Sequence, residues 1–384
     1  MKGLICFLLV VVLYFYGCVP KDKINEYTLV PTNEKIKFNI PNDVSSITDC
    51  SQYFLTEDGR QYLCYLSRYN NKLLFYNIDS STLSFTVQMP VIGPEGVGKI
   101  LGFLVHNLDT ILLKTKQRTL YIIDQFGNLK KKIPISRDIK NGEYGTYIRH
   151  SASFTNCLIL NDGNIYAGTH LLKNPGPKEI QDYKLCLQID LMKNQQKLLP
   201  MAYPPLGNKN NEPVYSYFST LFVEDEFIYS FMSSHNLYIT KDHKIIKTIP
   251  AKSRYIEKDF KLPDFSSGSY QIIAKTVFEH PSYRNFYYDK YRNVFYRFVY
   301  PGIEIDMSDN ISDLLEYRQI FSIMILDTEL RVIGEVLMPK NKYNLKMAFV
   351  GKEGLYISTN HIGNPDFSAD YSRFELFKLE RKQD

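Results

Sequence analysis

"FLVHNLDTILL", Phe103 to Leu113, followed by "LYIIDQFGNLKKKIPI", Leu120 to Ile135, decides the fold. Each phrase is an apolar run, a polar turn and a second run, with Asn, Asp or Gly at the turn, as a β-hairpin requires. Together they make a unit of four short strands. "YFLTEDGRQYLCYLS" (Tyr53 to Ser67) with "LLFYNIDSSTLSFTVQMP" (Leu73 to Pro90) is an earlier copy. "CLILNDGNIYAGTH" (Cys157 to His170) with "KLCLQIDLMKNQQKLLPM" (Lys184 to Met201) is a later one. "LFVEDEFIYSFM" with "LYITKDHKIIKTIP", and "FYYDKYRNVFYRFVY" with "FSIMILDTELRVIGEVLMP", continue the series. "MAFVGKEGLYISTN" (Met347 to Asn360) with "RFELFKLER" (Arg373 to Arg381) lacks its last strand.

A recurring four-stranded unit is the signature of a β-propeller. The expected fold is therefore all-β, a six-bladed propeller of four-stranded antiparallel blades. The orphan segment "EKIKFNIP", Glu34 to Pro41, supplies the strand that the sixth copy lacks, closing the ring and removing two open sheet edges. Thirty tyrosines and 24 phenylalanines fit a β protein. No Pro/Ser-rich linker divides the chain, so residues 34–384 are expected to be a single domain.

The N-terminus reads as an export signal. Lys2 precedes the apolar run "LICFLLVVVLYFY", too short for a comfortable transmembrane helix and right for a signal-peptide core. The run ends in "FYGC" at Cys18 and resembles the lipobox of bacterial lipoproteins, with Phe15 and Tyr16 as departures. The resemblance implies a signal peptide over residues 1–17, a lipid on Cys18 and a tether over residues 18–33. An uncleaved N-terminal anchor is the alternative. Both expect a partner in the lipid bilayer and a location outside the cytoplasm.

A formal charge of +5 over 384 residues, with both signs interspersed, leaves no footprint for nucleic acid. "GPEGVGKI", Gly93 to Ile100, has phosphate-loop spacing, but Ile100 stands where Ser or Thr would hold magnesium, and a strand pattern follows. It reads as a glycine-rich connection between blades. Cys50, Cys64, Cys157 and Cys186 read as small buried hydrophobes. Cys157 and Cys186 lie two strands apart, about 9–10 Å, beyond the roughly 7 Å that a disulfide bridges. No His-x-His, His-Glu-x-x-His, Cys-x-x-Cys or Gly-x-Ser-x-Gly spacing occurs, so neither a metal nor a cofactor is expected.

In a propeller the first-to-second and third-to-fourth turns share one face, and the other connections share the opposite one. Here the first set is short ("NLD", "NDG", "KEG", "QFGN"), while nearly every insertion belongs to the second. Insertions gathered on one face mark the working face. It carries Arg149, His150, His170, Tyr217, His235, Glu279, His280, Arg284 and His361, with Tyr144 and Tyr147 nearby. Such a mouth suits an anionic sugar or peptide, through aromatic stacking and bidentate contacts to carboxylate. Arg149 and His150 enter blade three; Glu279, His280 and Arg284 enter blade five. Their loops are expected to meet over the central channel.

"GPEGVGKILGFLVHNLDTILL" and "PSYRNFYYDKYRNVFYRF" resemble the six-bladed propeller lipoproteins of a family of unknown function abundant in Bacteroides-type bacteria. The resemblance implies the fold and a lipid anchor, and it implies no catalytic residues; a Gram-negative cell envelope, on its periplasmic side or surface, and a monomer are expected. Binding or sensing of a glycan, peptide or protein ligand is the preferred expectation. A lyase or hydrolase using His, Arg, Tyr or Glu on the same face, and a protein–protein scaffold, are the alternatives.

Overall fold

The computed structural model describes residues 26–171, 179–204, 217–261, 268–306, 308 and 310–383. Cys18 and the apolar leader lie outside them. Six antiparallel four-stranded sheets follow one another around a ring. Blade one runs through Ser51–Leu55, Gln61–Ser67, Lys72–Asn77 and Thr82–Gln88. Blade two is Ile100–Asn107, Thr110–Thr115, Thr119–Ile123 and Leu129–Pro134, the two hairpins read above. Blades three, four and five begin at Leu158, Phe218 and Ser282 with the same order. Blade six comprises Ala348–Val350, Leu355–Ser358, Tyr371–Arg381 and, as its outermost strand, Tyr27–Asn39.

The core is a circle of seams between blades. Blades six and one share Phe38, Leu63, Tyr76, Met347 and Phe374, and blades two and three share Leu112, Ile122, Leu158 and Ile189. A middle strand is covered on both faces by neighbouring blades, so its residues are buried without alternation. Every residue of Val294–Tyr300 and Ser322–Leu326 is buried. Outer strands meet solvent, and in Leu129–Pro134 only Ile133 is buried. The rings of Phe286, Tyr288 and Phe295 stack within blade five, at 5.7 Å and 4.8 Å, and are packing rather than an open platform. All four described cysteines are buried free thiols.

The ring closes as expected, with one correction to its boundary. The closing strand starts at Tyr27, opposite Arg381, well before the expected Glu34, so most of residues 27–33 belong to the sheet rather than to a tether. A register shift between Pro31 and Lys35, with Asn33 at φ 65°, breaks the period-two alternation that marks a strand in sequence. That bulge hid the first half.

Two helices interrupt the expected loops. Helix α1, Tyr270–Glu279, is capped by the Ser269 hydroxyl and buries Ala274 and Phe278, one turn apart. Helix α2, Ile311–Glu316, is capped by Asn310 and buries Leu314. Both stand on the long-loop face, before the first and between the second and third strands of blade five. The glycine-rich segment at Gly93 is the connection expected. The Asn71 side chain bonds the Gly98 carbonyl (2.8 Å) and the Ile100 amide (2.8 Å), and a strand follows.

Candidate functional site

The connection from blade two to blade three crosses the long-loop face like a strap. The Ser153 amide donates to the Asp49 carbonyl (2.6 Å), and the Ser51 amide donates to the Ser153 hydroxyl (3.0 Å), tying the strap to blade one. It also lies directly on Gly102, where a Cβ would come within 2.6 Å of the Ser151 carbonyl oxygen. Ala152 therefore sits between two cavities. Below is the central channel, about 280 Å³, lined by inner-strand residues such as Phe103, Phe222, Phe286 and Phe349. Above is a mouth pocket of about 540 Å³, within the range of small-ligand sites.

Among the described residues, four arginines line the mouth pocket, Arg68, Arg149, Arg284 and Arg318, against one carboxylate, Asp49. Arg68 already pairs with that carboxylate at 2.8 Å. Arg149, 2 % exposed, lies over the rings of Tyr217 (4.4 Å) and Phe218 (4.8 Å). Its Nη2 donates to the Tyr203 hydroxyl (3.2 Å), which in turn donates to the Thr169 carbonyl (2.8 Å). Arg318 is held in the same way, over Phe278 of α1 (4.1 Å) and Tyr300 (4.5 Å). Guanidinium groups fixed by their faces present their N–H edges in one orientation, which suits planar anions. Val277 and Leu315 from the two helices, with Ile148, Phe154 and Met232, give the pocket apolar walls.

His150 and His170 line the same pocket. Burial, then Lys114, Arg68 and Arg149, hold the His150 pKa below its ordinary value. Burial, then Arg149, His150 and Lys114, push His170 down to about 4. Lys114 is buried, donates to the Thr115 carbonyl and is pushed down to about 8 by burial. Both imidazoles are thus neutral at pH 7, beside a concentration of positive charge.

The structure brings together Arg149, His150, His170, Tyr217 and Arg284 of the expected site residues. It places the other four elsewhere. His235 Nδ1 shares a hydrogen with the Tyr283 hydroxyl (2.8 Å) and packs on Phe260. Glu279 ends α1 in an ion pair with Lys275 (3.7 Å), and His280 caps that helix with Nδ1 3.0 Å from the Asp259 carbonyl. His361 is buried, accepting at Nδ1 from the Gly363 amide (3.0 Å). The Glu–His–Arg group expected at blade five is therefore split, because α1 turns Glu279 and His280 away while Arg284 reaches the pocket from the inner strand. Arg68, Lys114 and Arg318 were missed. Arg68 opens a short second-to-third turn and Lys114 lies inside a strand, so neither falls in an insertion. Arg318 falls in one, but no periodic signal distinguishes it from other loop cations.

The match to known proteins follows the geometry. The family model for the domain of unknown function DUF4221 matches residues 26–337. A crystal structure of a member of that family from Bacteroides vulgatus is similar at a TM-score of 0.83 and 25% identity, covering 93% of this chain and 99% of that one. A luciferin-regenerating enzyme is similar at a TM-score of 0.45 and 10% identity, covering 90% of this chain and 95% of that one. No curated protein matches. With the six-bladed ring and the family match over most of its length, the chain belongs to the DUF4221 family.

Proposed function

We propose that this propeller is a lipid-anchored envelope protein that binds a small ligand carrying two or more carboxylates, such as an acidic sugar, in the mouth pocket. One observation carries the binding reading: four arginines line a 540 Å³ pocket in which Asp49, already paired with Arg68, is the one carboxylate among the described residues. A cleft lined by one sign of charge focuses the field and raises the local concentration of anions. The apolar walls suit the body of such a ligand, and the arginine edges suit its carboxylates. The neutral histidines add hydrogen bonds and can take up protons when negative charge arrives. The lipid anchor at Cys18 rests on the apolar leader that ends in Gly17-Cys18.

Calorimetric titration with digalacturonate and citrate, against lactose as a neutral control, tests the binding. The acids should bind and lactose should not. Arg149→Ala and Arg318→Ala should each weaken binding by about 1.5–3 kcal/mol, the worth of a hydrogen bond to a charged group. Lysine at either position should not restore it, since an ammonium lacks the planar fork. Equal affinity for lactose, or indifference to both alanine substitutions, sinks the reading.

A further inference from the structure

We propose that the short-turn face is a bilayer-docking face, so that the arginine pocket opens away from the membrane. This placement rests on the anchor proposed at Cys18 and on two features of the ring that do not depend on it.

The first is where the chain enters. Tyr27 pairs with Arg381, beyond the end of the ladder that joins Leu355 to Phe377. Lys378, close by, reaches Glu353 in the first turn of blade six at 3.2 Å. The closing strand thus begins on the short-turn face and ends at Asn39, opposite Tyr371, on the long-loop face. The stretch from Cys18 to Tyr27 spans at most about 30 Å fully extended. A lipid on Cys18 therefore lies beneath the short-turn face, on the far side of the ring from the pocket.

The second is an arc of apolar tips on that same face. Phe126 (79 % exposed), Met192 (89 %) and Ile245 (80 %) occupy the third-to-fourth turns of blades two, three and four. Lysines follow or flank each tip: Lys130 and Lys131, Lys193, then Lys244 and Lys247. Asp109, Asp190 and Glu226 pair with Lys130 (3.6 Å), Lys193 (3.6 Å) and Lys241 (3.9 Å), and Asp124, Asp162, Glu224, Asp225 and Asp242 stand at the same turns, so the apolar tips rather than net positive charge carry the docking. Large apolar side chains at successive equivalent turns, with long lysine stems beside them, are what the boundary between headgroups and acyl chains accepts. Blades two to four lie across the ring from blade six, where the chain enters. Entry point and arc together give two separated attachments, which lay the face flat where a tether alone would let the ring swing. Exposed apolar residues on the other face, such as Tyr69 (95 %) and Ile92 (85 %), sit on unlike connections and form no such series.

The chain contains no tryptophan, so Phe126→Trp and Tyr69→Trp each create a sole indole, one on each face. Each variant, as the full chain, is recovered with the cell envelope and reconstituted in vesicles of phosphatidylethanolamine and phosphatidylglycerol. Brominated acyl chains in these vesicles quench nearby indoles. Emission from Phe126→Trp should be blue-shifted and strongly quenched, while that from Tyr69→Trp is unaffected. Adding Met192→Ser and Ile245→Ser should weaken the quenching at Phe126→Trp. Equal quenching on both faces, quenching confined to Tyr69→Trp, or none at either position overturns the docking face. Fractionation of Cys18→Ser separates the two readings. A wild-type chain that already leaves with the soluble fraction overturns anchor and face together. An anchored chain, released by Cys18→Ser but never quenched, overturns the face alone.

Discussion

Arg297 shows how far a charge's role depends on what surrounds it. It is fully buried in the second strand of blade five, with no carboxylate partner among the described residues. Its Nε donates to the Ser230 hydroxyl (3.0 Å), and its terminal nitrogens donate to the carbonyls of His235 and Ala251 (both 3.1 Å), Phe231 (3.3 Å) and Ser234 (2.7 Å). The guanidinium also lies 3.4 Å from the centre of the Tyr283 ring. One side chain thus gathers the second-to-third connection of blade four onto blade five. Desolvation nonetheless pulls its pKa down to about 10, so it stays charged at pH 7. Arg297→Met should cost about 3 kcal/mol or more, because several buried carbonyls lose their donors. Urea denaturation would register this as a lower midpoint at unchanged slope, and an unchanged midpoint would show that water replaces the guanidinium. By contrast, the arginines of the mouth pocket also line a cavity, and their substitution should change ligand affinity as well as stability.

At the scale of elements, the closing strand concentrates the most consequence in the fewest residues. Its ladder with Tyr371–Arg381 covers the edge of blade six and buries Phe38 and Leu29. Without it, blade six would present an unpaired apolar edge, a template for pairing with other chains. Deleting residues 27–39 should therefore yield soluble aggregates or a broad, uncooperative melt. A monomeric elution profile with the original melting temperature would show that the sheet tolerates an open ring. Helices α1 and α2 matter in another way, since they wall one side of the pocket and supply the ring on which Arg318 lies. Their sequence signal was present, in Ser269 three residues before Ile272 and in the Ala274/Phe278 spacing, but it was buried in an insertion read only as loop.

For the molecule as a whole, three half-buried or buried imidazoles make folding depend on acidity. His170, His235 and His243 are each pushed down to about 4, chiefly by burial, and lie in blades three and four. In the unfolded chain each titrates near 6.5, so below that value the unfolded state binds more protons. Their contribution is complete above about pH 6.5 and is lost as the pH falls toward about pH 4. Melting temperature should decline across that window. His243→Gln, which removes a ring whose Nε2 lies 2.6 Å from the Tyr229 hydroxyl, should lower stability at neutral pH and flatten the decline. A slope identical to wild type would show that His243 is not one of the groups responsible.

The repeat of hairpins was legible in residues alone, because turn chemistry and apolar periodicity are local and each blade repeats them. Strand number, ring closure and the asymmetry of the two faces followed from that repetition. The pocket was legible only in part. Arg149, His150, His170, Tyr217 and Arg284 could be assigned to the correct face, since topology alone decides which connections share a side. Which of the face's polar residues converge was decided by tertiary structure: the strap across the channel, the close approach at Gly102 and the turn of α1 that carries Glu279 and His280 away. Arg68 and Arg318 join the same cavity from blades far apart in sequence, and no local pattern records a convergence made by packing.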